Sequence, residues 1–177
     1  MRIEVCDKFF VPFISTATIG KAVRDVAAKI NRDYKDKKPI FISTLNGAFM
    51  FTSDLMKEIE VDSSITFIKV SSYCGDKSTG QVTHVLGLNI DIKGRDVIII
   101  DDIVDSGVTI NELYSIVSGQ KPSSIAIAAF IFKPNSYKGG VKIDYIGMTM
   151  QDNNFIVGYG LDYNEKGRNF PEIYIAE

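Results

Sequence analysis

Apolar residues recur along the chain with two different periods, and the change from one to the other predicts the elements. From Thr18 to Tyr34, Ile19, Val23, Val26, Ala27 and Ile30 return at helical spacing, with Thr18 or Ser15 placed to cap the start. "IFIST" at 40–44 is a short β-rich run, "LNG" turns, and "AFMFTSDLMKEI" at 48–59 resumes a helical pattern. "SITFIKV" at 64–70 and "THVLGLNI" at 83–90 read as strands on either side of "SSYCGDKSTGQ", which has turn residues and no periodic apolar face. "DVIIIDD" at 96–102 is the most continuously hydrophobic run and suits a central parallel strand covered on both sides. A helix is predicted over 108–119, with Ile110, Leu113, Ile116 and Val117 on one side, and a buried strand over 123–132.

Repeated strand-turn-helix units imply an α/β sheet with right-handed crossovers, whose ligands gather beyond the carboxyl ends of the strands. The final third changes character. Short β-like pieces at 143–148, 155–158 and 173–175 are separated by loops rich in Gly, Asp and Asn, and predict edge strands plus a small cap joined by the N-terminal residues. No long linker, internal repeat or low-complexity tract divides the 177 residues, so one domain is expected.

Composition narrows the setting. A chain that is 45% hydrophobic and 24% charged is expected to form one sizeable core. A net charge of -2 gives no broad attraction for nucleic acid or anionic lipid, so any phosphate site must be built locally. Cys6 and Cys74 are too few for a disulfide framework and lack metal-ligand spacing. Neither a secretory signal nor a membrane-spanning run is visible, and a cytoplasmic protein is expected, with no membrane or nucleic-acid partner.

The densest chemistry lies in "VIIIDDIVDSGVTI", residues 97–110. If a helix begins near Val108, the N–H groups around Ser106 to Thr109 have no intrahelical acceptors and can receive a phosphate. Gly107 permits close backbone approach, and Ser106 and Thr109 add hydroxyl donors. Neither a Walker A loop nor a dinucleotide fingerprint is present. Asp101 and Asp102 are successive residues at a strand end and start in opposite directions, one suited to ribose hydroxyls and the other to a hydrated cation. Asp105, crowded by an anion and two carboxylates, is either a general base or the cap of the following helix. His84 is the single histidine and gives no support to histidine-centred metal catalysis; Cys74 lacks a thiolate-activating neighbour.

The stretch from Val97 to Ile110 resembles the phosphoribosyl-diphosphate signature of type I phosphoribosyltransferases, and nearly all of residues 10–175 resembles the hypoxanthine-guanine branch of that family. The resemblance implies a mainly parallel sheet flanked by helices, with a core over about 15–150 and a small hood from about 1–14 and 151–177. It implies that Asp101, Asp102, Asp105, Ser106, Gly107, Val108 and Thr109 bind ribose and its 5-phosphate, with Asp105 catalytic. Leu45, Asn46 and Gly47 match the loop that contacts diphosphate, and Arg168 an arginine with the same task. Asn46 stands where the family commonly has lysine, and Gly167 where it usually has an aromatic residue.

Lys133, in "FKP", matches the lysine that reads purine O6, Phe155 the aromatic that stacks on the base, Ile156 the residue giving backbone contacts, and Asp162 an acid near the base and a second magnesium. Ser72 and Tyr73 match the characteristic pair of a flexible loop, 71–82, that closes during reaction and excludes water. Lys69 stands where some relatives have arginine. The implied activity is transfer of the 5-phosphoribosyl group from 5-phosphoribosyl 1-diphosphate to N9 of hypoxanthine or guanine, yielding IMP or GMP and diphosphate, which is a purine-salvage reaction. Mg²⁺ is the implied cofactor, on Asp101, Asp102 and Asp162, and the implied assembly is a homodimer or homotetramer. The alternative is a nucleotide- and RNA-binding regulator built on the same fold.

Overall fold

The computed structural model describes residues 2–71 and 83–177. Its main sheet has the order β5-β4-β3-β6-β7-β8, formed by β3 (Ile40–Thr44), β4 (Ser64–Ser71), β5 (Thr83–Leu86), β6 (Asp96–Val104), β7 (Ser124–Phe132) and β8 (Tyr145–Thr149). All neighbours are parallel except β4 and β5. Among the described residues three helices accompany the strands: α1 (Thr16–Asp33), α2 (Phe49–Lys57) and α3 (Val108–Gly119). Of the two caps expected for α1, Ser15 starts it, its Oγ accepting the Thr18 N–H at 3.3 Å.

The central strands are apolar on both faces because each face meets a different helical layer. Phe41, Ile98, Ile100, Ala126, Ala128 and Phe130 join the core that includes α1 and α2. The intervening Ile40, Ile42, Val97, Ile99, Ile127 and Ala129 pack with Ile110, Leu113 and Val117 of α3. The strict alternation of period two fixes the register, since a one-residue slip would exchange the two cores.

Several expected boundaries shift. The strand expected over 83–90 ends at Leu86. β6 does not stop at 102 but runs to Val104, because Ile103 and Val104 pair with Ile131 and Phe132 of β7. The aspartate pair therefore lies inside the ladder rather than at its end. α2 is shorter than 48–59, its end tightened by a bond from the Glu58 N–H to the Leu55 carbonyl at 3.0 Å.

Both termini contribute to a second, antiparallel sheet of order β1-β2-β10-β9, from β1 (Ile3–Val5), β2 (Lys8–Ile14), β9 (Ile156–Val157) and β10 (Ile173–Ala176). Pro12 within β2 is tolerated because β1 pairs only with Lys8 to Phe10, so no ladder bond to β1 is lost. This sheet is the hood. The residues after β3, β6 and β7 face it across the carboxyl end of the main sheet, and the strand order reverses between β3 and β6, the usual position for a ligand in an open α/β sheet.

Candidate active site

Three segments at the carboxyl ends of β3, β6 and β7 build the floor of the site, and the segment around β9 builds its roof. Parity along β6 assigns the two aspartates to different sides. Asp101 continues the row of Val97 and Ile99, and Asp102 the row of Ile98 and Ile100. Asp101 is buried and accepts the hydroxyl of Thr44 at 2.6 Å and the Asp102 N–H at 3.2 Å. Burial, and then the adjacent Asp102 charge, hold the Asp101 carboxyl well above the usual carboxylate range. Burial also raises Asp102, against hydrogen bonds to its carboxylate and the nearby Arg168 charge.

Asp102 presses on the loop after β3. A Cβ built on Gly47 would lie 1.9 Å from Asp102 Oδ2, so only glycine leaves room for the carboxylate. The peptide bond between Leu45 and Asn46 is cis. Lys69 reaches the same loop from β4, its Nζ 3.4 Å from Asn46 Oδ1.

After β6 the chain turns at Gly107, with φ +89, which is the N-cap of α3 and has no side chain to accept; the Val108 N–H instead meets Ser106 Oγ at 3.5 Å. Asp105 is therefore not the cap. The first N–H groups of α3 are left without an intrahelical acceptor and border a cavity of about 220 Å³ lined by Asp101 and residues 103–110, including Asp105, Ser106, Gly107, Val108 and Thr109. A Cβ on Gly107 would lie 2.5 Å from the Tyr137 ring, which braces the turn from behind.

The expected crowding of three carboxylates resolves into a carboxylate pair and a separate ion pair. Asp105 Oδ2 accepts from Lys133 Nζ at 3.1 Å, and the same ammonium donates to the Asn154 carbonyl at 3.3 Å. Lys133 is buried although it carries a charge, which requires such partners. A second cavity, of about 280 Å³, brings together Asp102, Ile103, Asp105, Lys133, Asn154, Phe155, Ile156, Leu161 and Asp162. Phe155 is 43% exposed, a large apolar face left open. The ring is steadied by Tyr163 edge-on at 5.5 Å and by Phe10 at 6.2 Å between centroids.

Arg168 is anchored at the far wall. Its Nη2 lies 2.8 Å from Asp162 Oδ1 and its Nη1 donates to the Gly160 carbonyl at 2.8 Å. The preceding Gly167 has φ +86, and a Cβ there would lie 2.5 Å from Val157, so this turn excludes an aromatic residue at that position. Gly160 in turn abuts the loop after β3, where a Cβ would lie 2.0 Å from the Gly47 carbonyl.

Among the described residues no three His, Cys, Asp or Glu side chains converge on one metal position. Asp101 and Asp102 form one acidic position, and Asp162 is a separate one already paired with Arg168. This donor set fits magnesium, which prefers hard oxygens, keeps several waters and takes only one or two carboxylates together with substrate phosphates. Ser72 and Tyr73, with most of the expected closing loop, lie outside the described residues.

Sequence reasoning missed Thr44, Asn154 and the contacts made by Gly160 and Lys69. A polar residue ending the apolar run "IFIST" was the one available signal for Thr44; the other three act through neighbours that only the topology supplies.

The phosphoribosyl transferase domain family matches residues 15–164 of the chain. The hypoxanthine-guanine phosphoribosyltransferase of Bacillus subtilis is 39% identical over 165 residues, covering 93% of this chain and 91% of the relative. The hypoxanthine-guanine-xanthine phosphoribosyltransferase of Tritrichomonas foetus is 38% identical over 160 residues, covering 90% and 87%. The crystal structure of a hypoxanthine-guanine phosphoribosyltransferase from Bacillus anthracis superposes with a TM-score of 0.87 at 33% identity, covering 94% of this chain and 96% of that one. The chain belongs to the phosphoribosyl transferase family, in its hypoxanthine-guanine branch.

Proposed function

We propose that the chain transfers the 5-phosphoribosyl group of 5-phosphoribosyl 1-diphosphate to N9 of hypoxanthine or guanine, giving IMP or GMP and diphosphate. The observation that carries the base assignment is the ion pair of Lys133 and Asp105, 3.1 Å apart in the cavity that Phe155 also lines. On a 6-oxopurine, O6 and a protonated N7 are neighbours. An ammonium that donates to O6 beside a carboxylate that accepts from N7–H matches that edge, and adenine would bring an amino group against the ammonium instead.

The remaining roles follow from the same frame. Ser106, Gly107, Val108 and Thr109, with the N–H groups of the first turn of α3, hold the 5-phosphate in the cavity that Asp101 also lines; Asp102, which lines the base cavity, faces the ribose from there. Phe155 stacks on the purine, and the Ile156 backbone meets its edge. Residues 45–47 and Arg168 hold the diphosphate. As the bond from C1 to the diphosphate oxygen breaks, the bond from C1 to N9 forms, and the N7 proton passes to Asp105. Asp101 and Asp102, with Asp162 at the opposite wall, would hold magnesium, which would supply positive charge to offset the departing diphosphate.

We also place the enzyme in the cytoplasm and assign it a homodimeric or homotetrameric state. Among the described residues no helix is long and apolar enough to cross a membrane. Ile65 and Phe67 of β4 and Phe49 of α2 leave apolar surface exposed, which supports burial against another copy.

Asp105→Asn tests the proton assignment. The variant is expected to retain nucleotide binding and to lose on the order of 10²-fold or more in kcat. Turnover near that of the parent enzyme would remove Asp105 from the role of base.

A further inference from the structure

We infer that Lys69 is a substrate-binding residue that adds a positive charge for the diphosphate at residues 45–47, beside that of Arg168. The inference rests on the placement of diphosphate at that loop. Register brings Lys69 there: Thr44 pairs with Ile68, and the Leu45 N–H donates to the Ile68 carbonyl at 2.9 Å. The Lys69 side chain then crosses to Asn46, Nζ 3.4 Å from Oδ1.

Charge balance makes this contact informative. Leu45, Asn46 and Gly47 carry no charge, and the Asp102 carboxylate lies against Gly47. An entering diphosphate therefore meets an acid on one side of the loop. Arg168 already shares its guanidinium between Asp162 and the Gly160 carbonyl. Lys69 is half-buried, and its contact on the loop is a neutral amide; among the described residues it forms no ion pair. A neutral carbonyl orients the ammonium and is given up cheaply when an anion arrives. The ammonium and the Asn46 amide share one small volume, so a lysine at 46 would carry its charge to the same place.

The test uses initial rates and inhibition by inorganic diphosphate. Lys69→Met is expected to raise KM for 5-phosphoribosyl 1-diphosphate and Ki for diphosphate roughly tenfold, the value of one charge-assisted contact, with KM for hypoxanthine within about twofold of the parent. Lys69→Arg, and the double variant N46K/K69M, should recover most of that loss. Unchanged diphosphate inhibition in Lys69→Met would overturn the inference, as would a loss that neither cation-restoring variant recovers. Failure of the underlying placement reads differently: Gly47→Ala, which drives the loop against Asp102, would then also leave diphosphate inhibition unchanged.

Discussion

Asp101 lies in the buried part of β6 with the Thr44 hydroxyl as donor, and burial next to Asp102 holds its carboxyl well above the ordinary range. The folded chain therefore keeps a proton that the unfolded chain releases near the usual carboxylate pKa. Stability must fall as pH rises from that ordinary value through the raised one. Asn at this position can still accept from Thr44 and the Asp102 N–H, and its amide can donate toward Asp102. Asp101→Asn, measured with a chelator present, is expected to melt higher than the parent at pH 8, with the gap closing toward pH 4. It should lose activity at the same time, the usual trade of stability against a charged site. A lower melting temperature at pH 8 would contradict this account. At this scale the sequence was readable where chemistry is concentrated in one run, as in residues 101–109. It was unreadable where a role depends on contact: nothing in "LNG" says that Asp102 will lie on Gly47, or that Lys69 will reach Asn46.

Elements were legible in proportion to how one-sided their surroundings are. β3, β6 and β7 are covered by helices on both faces, and their unbroken apolar runs announce it. α3 was legible to both ends because Gly107 and Gly119 bracket one apolar face. β2 is the opposite case. Its Phe9 and Phe13 are exposed, Pro12 interrupts it, and its partner β10 lies at the other end of the chain, so local pattern alone could suggest a hood segment but not its pairing. The hood meets the loop after β3 at one tight contact, Gly160 on the Gly47 carbonyl. Gly160 also has φ +95, so an alanine there is strained twice. Gly160→Ala is expected to destabilise the fold by about 1–3 kcal/mol and to raise KM for 5-phosphoribosyl 1-diphosphate. Thermal melting and substrate kinetics both equal to those of the parent would uncouple the hood from the loop.

As a whole the molecule is a two-core α/β sheet whose carboxyl edge is roofed by its own termini, with a net charge of only -2. The anion sites proposed for it are consequently local, made from a helix start, a lysine and an arginine. The exposed Phe67 and Ile65 on β4 belong to this scale. If the proposed dimer or tetramer buries this strand, Phe67→Lys is expected to lower the sedimentation mass toward that of a single chain, because it places a charge on the apolar face; an unchanged mass would exclude β4 from the proposed interface. The residues themselves carry no reading of assembly, since a half-exposed aromatic looks the same in sequence whether water or a second copy covers it. The central claim is transfer to a 6-oxopurine, and initial rates of magnesium-dependent nucleotide formation from hypoxanthine, guanine, xanthine and adenine test it most directly. The account predicts IMP and GMP with release of diphosphate, and adenine turned over at least about 10²-fold less efficiently because its amino group opposes Lys133. Equal use of adenine and hypoxanthine, or no turnover with any of the four bases, would contradict it.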